Sequence, residues 1–452
     1  MRRKVRPLLA AALAAALLAA FPAAAGTWHE EQSIEHDGLT RWFRVYEPDV
    51  PPPPEGYPLL FVLHGGGGGM RSFLDNGTHA EWPEIADEEG ILLVVPNGVN
   101  PETGDTAGDD QNWNDCRADA PAVETGADDV GFVSALIDRV AARWPVDLRR
   151  VYATGSSNGG LMSWRLAFEL GDRIAAVAPF IANLAAVSEC RDGGRVVPVF
   201  ICNGDAEERY MPWEGGCIYD QENCTRGRVI SAEATRDFFV RRLHADPEPT
   251  ESVDHPDLDP DDGCTVHHDL YAGGFEGAEV AFYRVRGGGH TTPSIDHRRN
   301  PWVLQLLGLG RQSHDVEGSR EAWAFLSRHV LDGTAPAGPP GVSGLLRVEK
   351  AGEDALFLRW AGDCGGGDRY GVYRGDLAAG WNSAAPVPGR CGVSSRSLEV
   401  PVGDGTAEFF VVVPATEEGE GSFGRDSEGS DRPAPPVTCA PPAPALASCA
   451  LR

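Results

Sequence analysis

A β-branched and aromatic run, Val151-Tyr152-Ala153-Thr154, passes straight into Gly155-Ser156-Ser157-Asn158-Gly159-Gly160, and an amphipathic stretch, Leu161 to Leu170, follows. No other feature limits the fold as strongly. A strand that turns into a helix within so few residues needs small side chains on both flanks of the turn, and here they are glycines. The residue at the apex, Ser157, then stands exposed above the strand end, at the positive end of the following helix. Leu161, Trp164 and Phe168 share one face of that helix. A glycine-rich turn without chemistry is the plainer alternative, and the flanking strand and helix argue against it.

Other short runs are apolar throughout: Pro58 to Leu63, Ile91 to Val95, Pro198 to Cys202 and Val280 to Val285. Such runs read as strands covered on both faces. Between them, Val130, Val133, Leu136, Ile137, Val140 and Trp144 recur at helical spacing, with Asp129 expected as N-cap. The alternation predicts an α/β fold with a mostly parallel sheet and helices on both faces, over residues 26–332. From Gly333 to Gly344 the chain turns to Pro, Gly and Ala and reads as a linker. Short segments bounded by Gly, Asp or Pro then predict a small all-β sandwich over 345–431, and 432–452 is a Pro/Ala-rich tail.

Arg2, Arg3, Lys4 and Arg6 precede an apolar stretch from Leu8 to Phe21, and Ala23-Ala24-Ala25 follows. This is the pattern of a signal peptide cleaved after Ala25, too short to serve as a membrane span. An extracellular location is expected, a periplasmic one being compatible, with no stable membrane anchor. The chain carries 39 basic and 67 acidic residues, a formal charge of −28. Such a surface repels phosphate backbones, so nucleic acid is not an expected partner. Ten cysteines in an exported chain allow disulfides. Cys217 with Cys224, Cys364 with Cys391 and Cys116 with Cys190 are compatible pairs, and Cys202 reads as a buried thiol.

The chemistry-bearing residues come in a particular order. His64 is followed by five glycines, Gly65 to Gly69, directly after the first apolar strand. Glycines allow close backbone approach, and acyl transfer needs two N–H donors for the developing oxyanion. The candidates are the N–H groups of Gly66 and Asn158, with His64 structural. His290, in Gly287-Gly288-Gly289-His290, follows the last strand and is the candidate base for Ser157. A carboxylate should orient it from the loop after Pro198–Cys202, where Asp205, Glu207 and Glu208 compete. Trp113 and Trp213 could line a substrate pocket or belong to the core. The acidic run Asp257-x-Asp259-x-Asp261-Asp262-Gly263 is similar to a calcium loop, but its glycine is one place late and no distal Glu follows. It reads as a solvated loop, and no metal or cofactor is expected.

These motifs together resemble the secreted esterase family of poly(3-hydroxybutyrate) depolymerases, feruloyl esterases and acetylxylan esterases. The resemblance spans Thr27 to Leu331. It includes Trp113-Asn114-Asp115-Cys116, Asp128-Asp129-Val130-Gly131-Phe132, the glycine-flanked His290 and a final helix over Glu317 to His329. It implies an α/β-hydrolase fold and hydrolysis of an ester, polyester or polysaccharide-linked, through an acyl-serine. Alternatives are an acyltransferase using the same intermediate and a non-catalytic binding or adhesion protein on the same scaffold. The family's acid loop reads His-Gly-Thr-x-Asp, then three residues, then Pro and an aromatic; here Asn203 replaces the His and the loop is one residue longer. Counting from Gly204 gives Glu207; counting back from Pro212-Trp213 gives Glu208, the preferred acid, with Glu207 and Asp205 open. The family's Trp-Pro-Gly after the base is Thr292-Pro293-Ser294 here. Tyr370 to Gly375 and Phe409 to Pro414 resemble a fibronectin type III domain.

Overall fold

The computed structural model describes residues 25–75, 79–191 and 195–331, and from 346 to 420 mainly a set of strands. Residues 1–24 of the expected signal peptide 1–25, the expected linker 333–344, the expected tail 432–452 and Cys364 lie outside the described residues.

In chain order the elements are β1 (Thr27–His36), β2 (Leu39–Glu47), β3 (Tyr57–Leu63), α1 (Ser72–Asp75), α2 (Trp82–Glu89) and β4 (Leu92–Pro96). There follow α3 (Asp129–Ala141), β5 (Val146–Ser156), α4 (Asn158–Glu169), β6 (Ala176–Phe180), β7 (Val199–Gly204), β8 (Gly216–Cys217) and β9 (Arg228–Val229). Then come α5 (Ala232–Leu243), β10 (Glu251–Asp254), β11 (Thr265–Tyr271), β12 (Val280–Arg286), α6 (Pro301–Leu306) and α7 (Gly318–Leu326). One ten-stranded sheet runs β1-β2-β4-β3-β5-β6-β7-β12-β11-β10. From β4 to β12 every pairing is parallel, and antiparallel strands close both edges.

The central strands are apolar throughout because both of their faces are covered. Leu59, Phe61 and Leu63 of β3 join one core cluster with α3, α4 and α5. Leu60 and Val62 join the opposite one with α2 and α7. Burying each such side chain stabilises the fold by about 1.5–3 kcal/mol. The expected N-cap shifts by one residue: Asp128 caps α3, accepting the Gly131 N–H, while Asp129 is buried in an ion pair with Arg41 at 2.6 Å. Asp129 also accepts the Asn114 N–H at 2.7 Å, so it anchors the loop before α3 rather than the helix itself.

Two expected disulfides are present, Cys116–Cys190 and Cys217–Cys224, and Cys202 is a buried free thiol. The acidic loop is less solvated than expected. Asp259 accepts from Arg298 at 2.5 Å and lies 3.1 Å from His314 Nδ1, and Asp262 accepts the His314 N–H at 2.7 Å. Further along the chain, Leu346–Lys350, Ala355–Trp360 and Ser397–Pro401 form one antiparallel sheet. Arg369–Asp376 pairs with Glu408–Thr416 in a second. Among the described residues no helix is long and apolar enough to cross a membrane.

Candidate active site

Ser157 follows the carboxyl end of β5, the acid loop follows β7 and His290 follows β12. In the sheet register Ser156 pairs with Phe180, Phe180 with Cys202 and Cys202 with Tyr283. All three segments therefore leave the same edge of the sheet, where ligands bind in open α/β folds.

The elbow is as tight as its glycines imply. Ser157 has φ 56° and ψ −120°, a conformation an L-residue adopts only at a cost of about 1–3 kcal/mol. A Cβ at Gly155 would stand 2.6 Å from the Leu63 carbonyl oxygen, and one at Gly159 only 2.2 Å from it. Side chains there would drive α4 off β3. Ser157 N–H donates to the Phe180 carbonyl at 3.0 Å, and Ser157 C=O accepts the Leu161 N–H at 2.9 Å. The side chain is half-buried.

The oxyanion candidates converge. A Cβ on Gly66 would lie 3.4 Å from Asn158 Cβ, so the two residues are close neighbours. Asn158 is held by the Trp-Asn-Asp-Cys motif. Its Oδ1 accepts the Trp113 N–H at 2.7 Å, and its Nδ2 donates to Asp115 at 2.6 Å. Asp115 is in turn ion-paired with Arg117 at 2.6 Å. His64 acts on the glycine loop as a structural residue. Its Nε2 accepts the Gly98 N–H at 3.0 Å, which leaves the proton on Nδ1, donated to Gly65 O at 2.8 Å. Burial pulls its pKa down to about 4, so the ring stays neutral near neutral pH.

His290 meets Glu207, not Glu208. His290 Nδ1 lies 3.2 Å from Glu207 Oε2, within ion-pair range but off linear hydrogen-bond geometry, as is common before substrate binds. The other Glu207 oxygen, Oε1, accepts the N–H groups of Arg209 and Tyr210, each at 2.6 Å. Burial alone would raise the Glu207 carboxyl. His290 and the two backbone donors outweigh it and hold the pKa below its ordinary value. Glu208, preferred from the Pro212-Trp213 count, is exposed. Counting forward from Gly204 reaches the carboxylate that faces His290. Asp205 holds the backbone instead, accepting from Arg284 at 2.8 Å and the Gly287 N–H at 2.7 Å. Asn203, in place of the family's His, bonds the Ala182 N–H and the Asn183 side chain, tying the acid loop to the segment beside the elbow.

Both tryptophans are buried. Trp113 is 1% exposed, and its indole N–H donates to His64 O at 2.9 Å. Trp213 is 6% exposed and packs against Phe282 beneath the Arg284 guanidinium. Both belong to the same core cluster. The ring of Tyr210 lies beside His290, 5.1 Å between centres; nothing in its sequence context marked it.

Sequence reasoning also missed a buried polar chain behind the elbow. His79 Nε2 lies 2.6 Å from Ser156 Oγ, and Ser319 lies between His79 and Glu81, donating to the Glu81 carboxylate. Burial pushes the Glu81 carboxyl from its ordinary 4.5 up to about 7, and Glu317 nearby adds to the rise against the opposing Ser319 hydroxyl and His297. A carboxyl raised in the fold favours folding while protonated. Its contribution is complete below pH 4.5 and lost as the pH rises through about 7. Glu81→Gln should therefore be more stable than the parent at pH 8, by up to about 3 kcal/mol, and similar at pH 4.5. Urea unfolding at the two pH values measures this; an equal difference at both would mean that Glu81 does not change protonation on folding.

No family model matches the chain. It is 33% identical over 274 residues to the "Putative esterase NocK" of Nocardia uniformis subsp. tsuyamanensis, covering 59% of this chain and 75% of that protein. It is 28% identical over 171 residues to feruloyl esterase C of Emericella nidulans, covering 37% of this chain and 55% of that one, so it spans about half of that relative's length. Among solved structures, the acetyl xylan esterase from Aspergillus awamori aligns at 12% identity with a TM-score of 0.39, over 63% of this chain and 100% of that one. The chain belongs to the esterase family, built on the α/β-hydrolase sheet.

Proposed function

We propose that the protein hydrolyses a carboxylic ester through an acyl-Ser157 intermediate. The observation that carries this reading is the Glu207–His290 pair, which leaves the same sheet edge as the strained Ser157. Ser157 Oγ attacks the ester carbonyl as His290 Nε2 takes its proton. Glu207 orients the ring through Nδ1 and stabilises the imidazolium. The N–H groups of Gly66 and Asn158 receive the oxyanion. As the tetrahedral intermediate collapses, His290 returns the proton to the departing alcohol. Water, deprotonated by the same ring, then releases the acid and restores Ser157.

For the substrate we favour an ester decorating a plant polysaccharide over a polyester, because relatives carry the names feruloyl esterase and acetylxylan esterase. Export, supported by the two disulfides, and a C-terminal fibronectin type III domain belong to the same reading.

One substrate panel on the purified protein tests it: methyl ferulate, acetylated xylan, hydroxybutyrate oligomers and short nitrophenyl esters. Turnover of ferulate or acetyl-xylan above the others is the expected result. A preference for hydroxybutyrate would select the polyester, and transfer of the acyl group to an added sugar in preference to water would select an acyltransferase. No turnover of any ester would overturn the reading.

A further inference from the structure

The polar chain behind the elbow contains a donor of fixed direction. Trp82 Nε1 donates to His79 Nδ1 at 3.3 Å. An indole can only donate, so Nδ1 carries the lone pair and the ring proton sits on Nε2. Nε2–H therefore donates to Ser156 Oγ, 2.6 Å away. His79 is fully buried and its ring is packed edge-on against Phe180, 4.9 Å between centres. Phe180 is also the residue whose carbonyl accepts the Ser157 N–H. Ser319 of α7 stands 3.4 Å from His79 Nδ1 and is itself fastened to Glu81. The residue immediately before the nucleophile is thus gripped by a side chain 77 positions away, itself backed by α2 and α7.

Ser157 needs such support. A non-glycine residue at φ 56° persists only where its surroundings over-determine it. Its own backbone bonds fix the N–H and the carbonyl, but the strand end that feeds it is fixed from the side by the Ser156 hydroxyl.

We propose that His79 is a positioning residue for the nucleophile: its bond to Ser156 holds the elbow in the strained conformation that presents Ser157, and Trp82 holds His79 by donating to Nδ1. The step affected is attack by Ser157 Oγ. Neither His79 nor Ser156 is part of the oxyanion loop or the acid loop, so ground-state binding is untouched. An error of about 1 Å in placing a reacting group costs up to about 100-fold in rate, and loss of one of several supports should cost about tenfold.

The inference rests on Ser157 being the nucleophile, and its test separates the two. Ser156→Ala deletes the acceptor, His79→Phe keeps a ring without the donor, and His79→Gln restores an N–H near the position of Nε2. Steady-state kinetics on a nitrophenyl ester and the rate of fluorophosphonate labelling are read together. In Ser156→Ala and His79→Phe, kcat and the labelling rate should each fall about tenfold with KM within twofold. The double variant should lose no more than either single one, because both delete the same bond, and His79→Gln should recover most of the loss. Parental labelling and kcat in Ser156→Ala, beside an inactive Ser157→Ala, would overturn the positioning role alone. Losses that multiply in the double variant, or a raised KM at unchanged kcat, would overturn it too. An active Ser157→Ala would overturn the nucleophile assignment beneath it. Should His79→Phe fail to fold, Ser156→Ala decides the outcome by itself.

Discussion

Ser157→Ala should lower kcat on a nitrophenyl ester by about 10⁴- to 10⁶-fold and abolish fluorophosphonate labelling. In barrier terms this is about 5–8 kcal/mol, since each tenfold is about 1.4 kcal/mol. The loss is large because without Oγ no acyl-enzyme forms, and His290 and the oxyanion donors are left to act on free water. Some catalysis survives in such variants, typically about 10³-fold over water, from oxyanion stabilisation and binding. The substitution is clean in structural terms. Alanine keeps the Cβ, so the strain at φ 56° is neither relieved nor increased. Thermal unfolding should therefore match the parent, and the missing activity cannot be ascribed to a collapsed elbow. Ser157→Gly is the instructive companion. It should be equally inactive yet more stable, because glycine occupies this region of backbone space without penalty. Retained turnover and labelling in Ser157→Ala would place the nucleophile elsewhere.

The central strands were legible because burial on both faces leaves no room for polar residues. The edge strands were not. Strand β1, Thr-Trp-His-Glu-Glu-Gln-Ser-Ile-Glu-His, alternates between exposed and half-buried positions and contains no apolar run. Its place is set by pairing with β2, which no local pattern announces. Strand β6 hides for another reason, since Pro179 sits inside it. It pairs with β5 throughout, but with β7 only at Val177 and Phe180, so the missing N–H falls in a gap of the ladder. At the site, the strand-end placement of Ser157, His290, Gly66 and Asn158 was readable because each sits in a glycine-rich turn, where spacing and backbone geometry coincide. Contacts between distant segments were not readable. His79 reaches Ser156 across 77 positions and Ser319 reaches Glu81 across 238, and neither histidine nor glutamate stands in a recognisable motif. Trp113 and Trp213 were ambiguous because an indole serves equally well against a ligand or in a core.

Glu207→Gln should lower kcat by about 10³- to 10⁴-fold, whereas Glu208→Gln should stay within about twofold of the parent. The reason lies in how Glu207 is held. Oε1 accepts two short backbone bonds, from the N–H groups of Arg209 and Tyr210. In the glutamine variant only the amide oxygen can accept them, so the NH₂ group must take the place of Oε2 and face His290 Nδ1. An N–H donor there requires a lone pair on Nδ1, which moves the ring proton to Nε2. A protonated Nε2 cannot take the proton of Ser157. The variant would thus keep its fold and packing and lose its base by tautomer, while KM changes little. Glu208 is exposed, and its neutralisation removes one charge from a strongly acidic surface. The pH dependence of the parent follows from the same contacts. The Glu207 carboxyl is held below its ordinary value, so its stabilising effect is present above pH 4.5 and is lost as the pH falls through the lowered pKa. Asp205→Asn separates loop integrity from catalysis. It weakens the bonds to Arg284 and the Gly287 N–H, so it should lower stability together with activity. An inactive Glu208→Gln beside an active Glu207→Gln would mean that the loop rearranges when substrate binds, bringing the exposed carboxylate to His290 in place of the buried one.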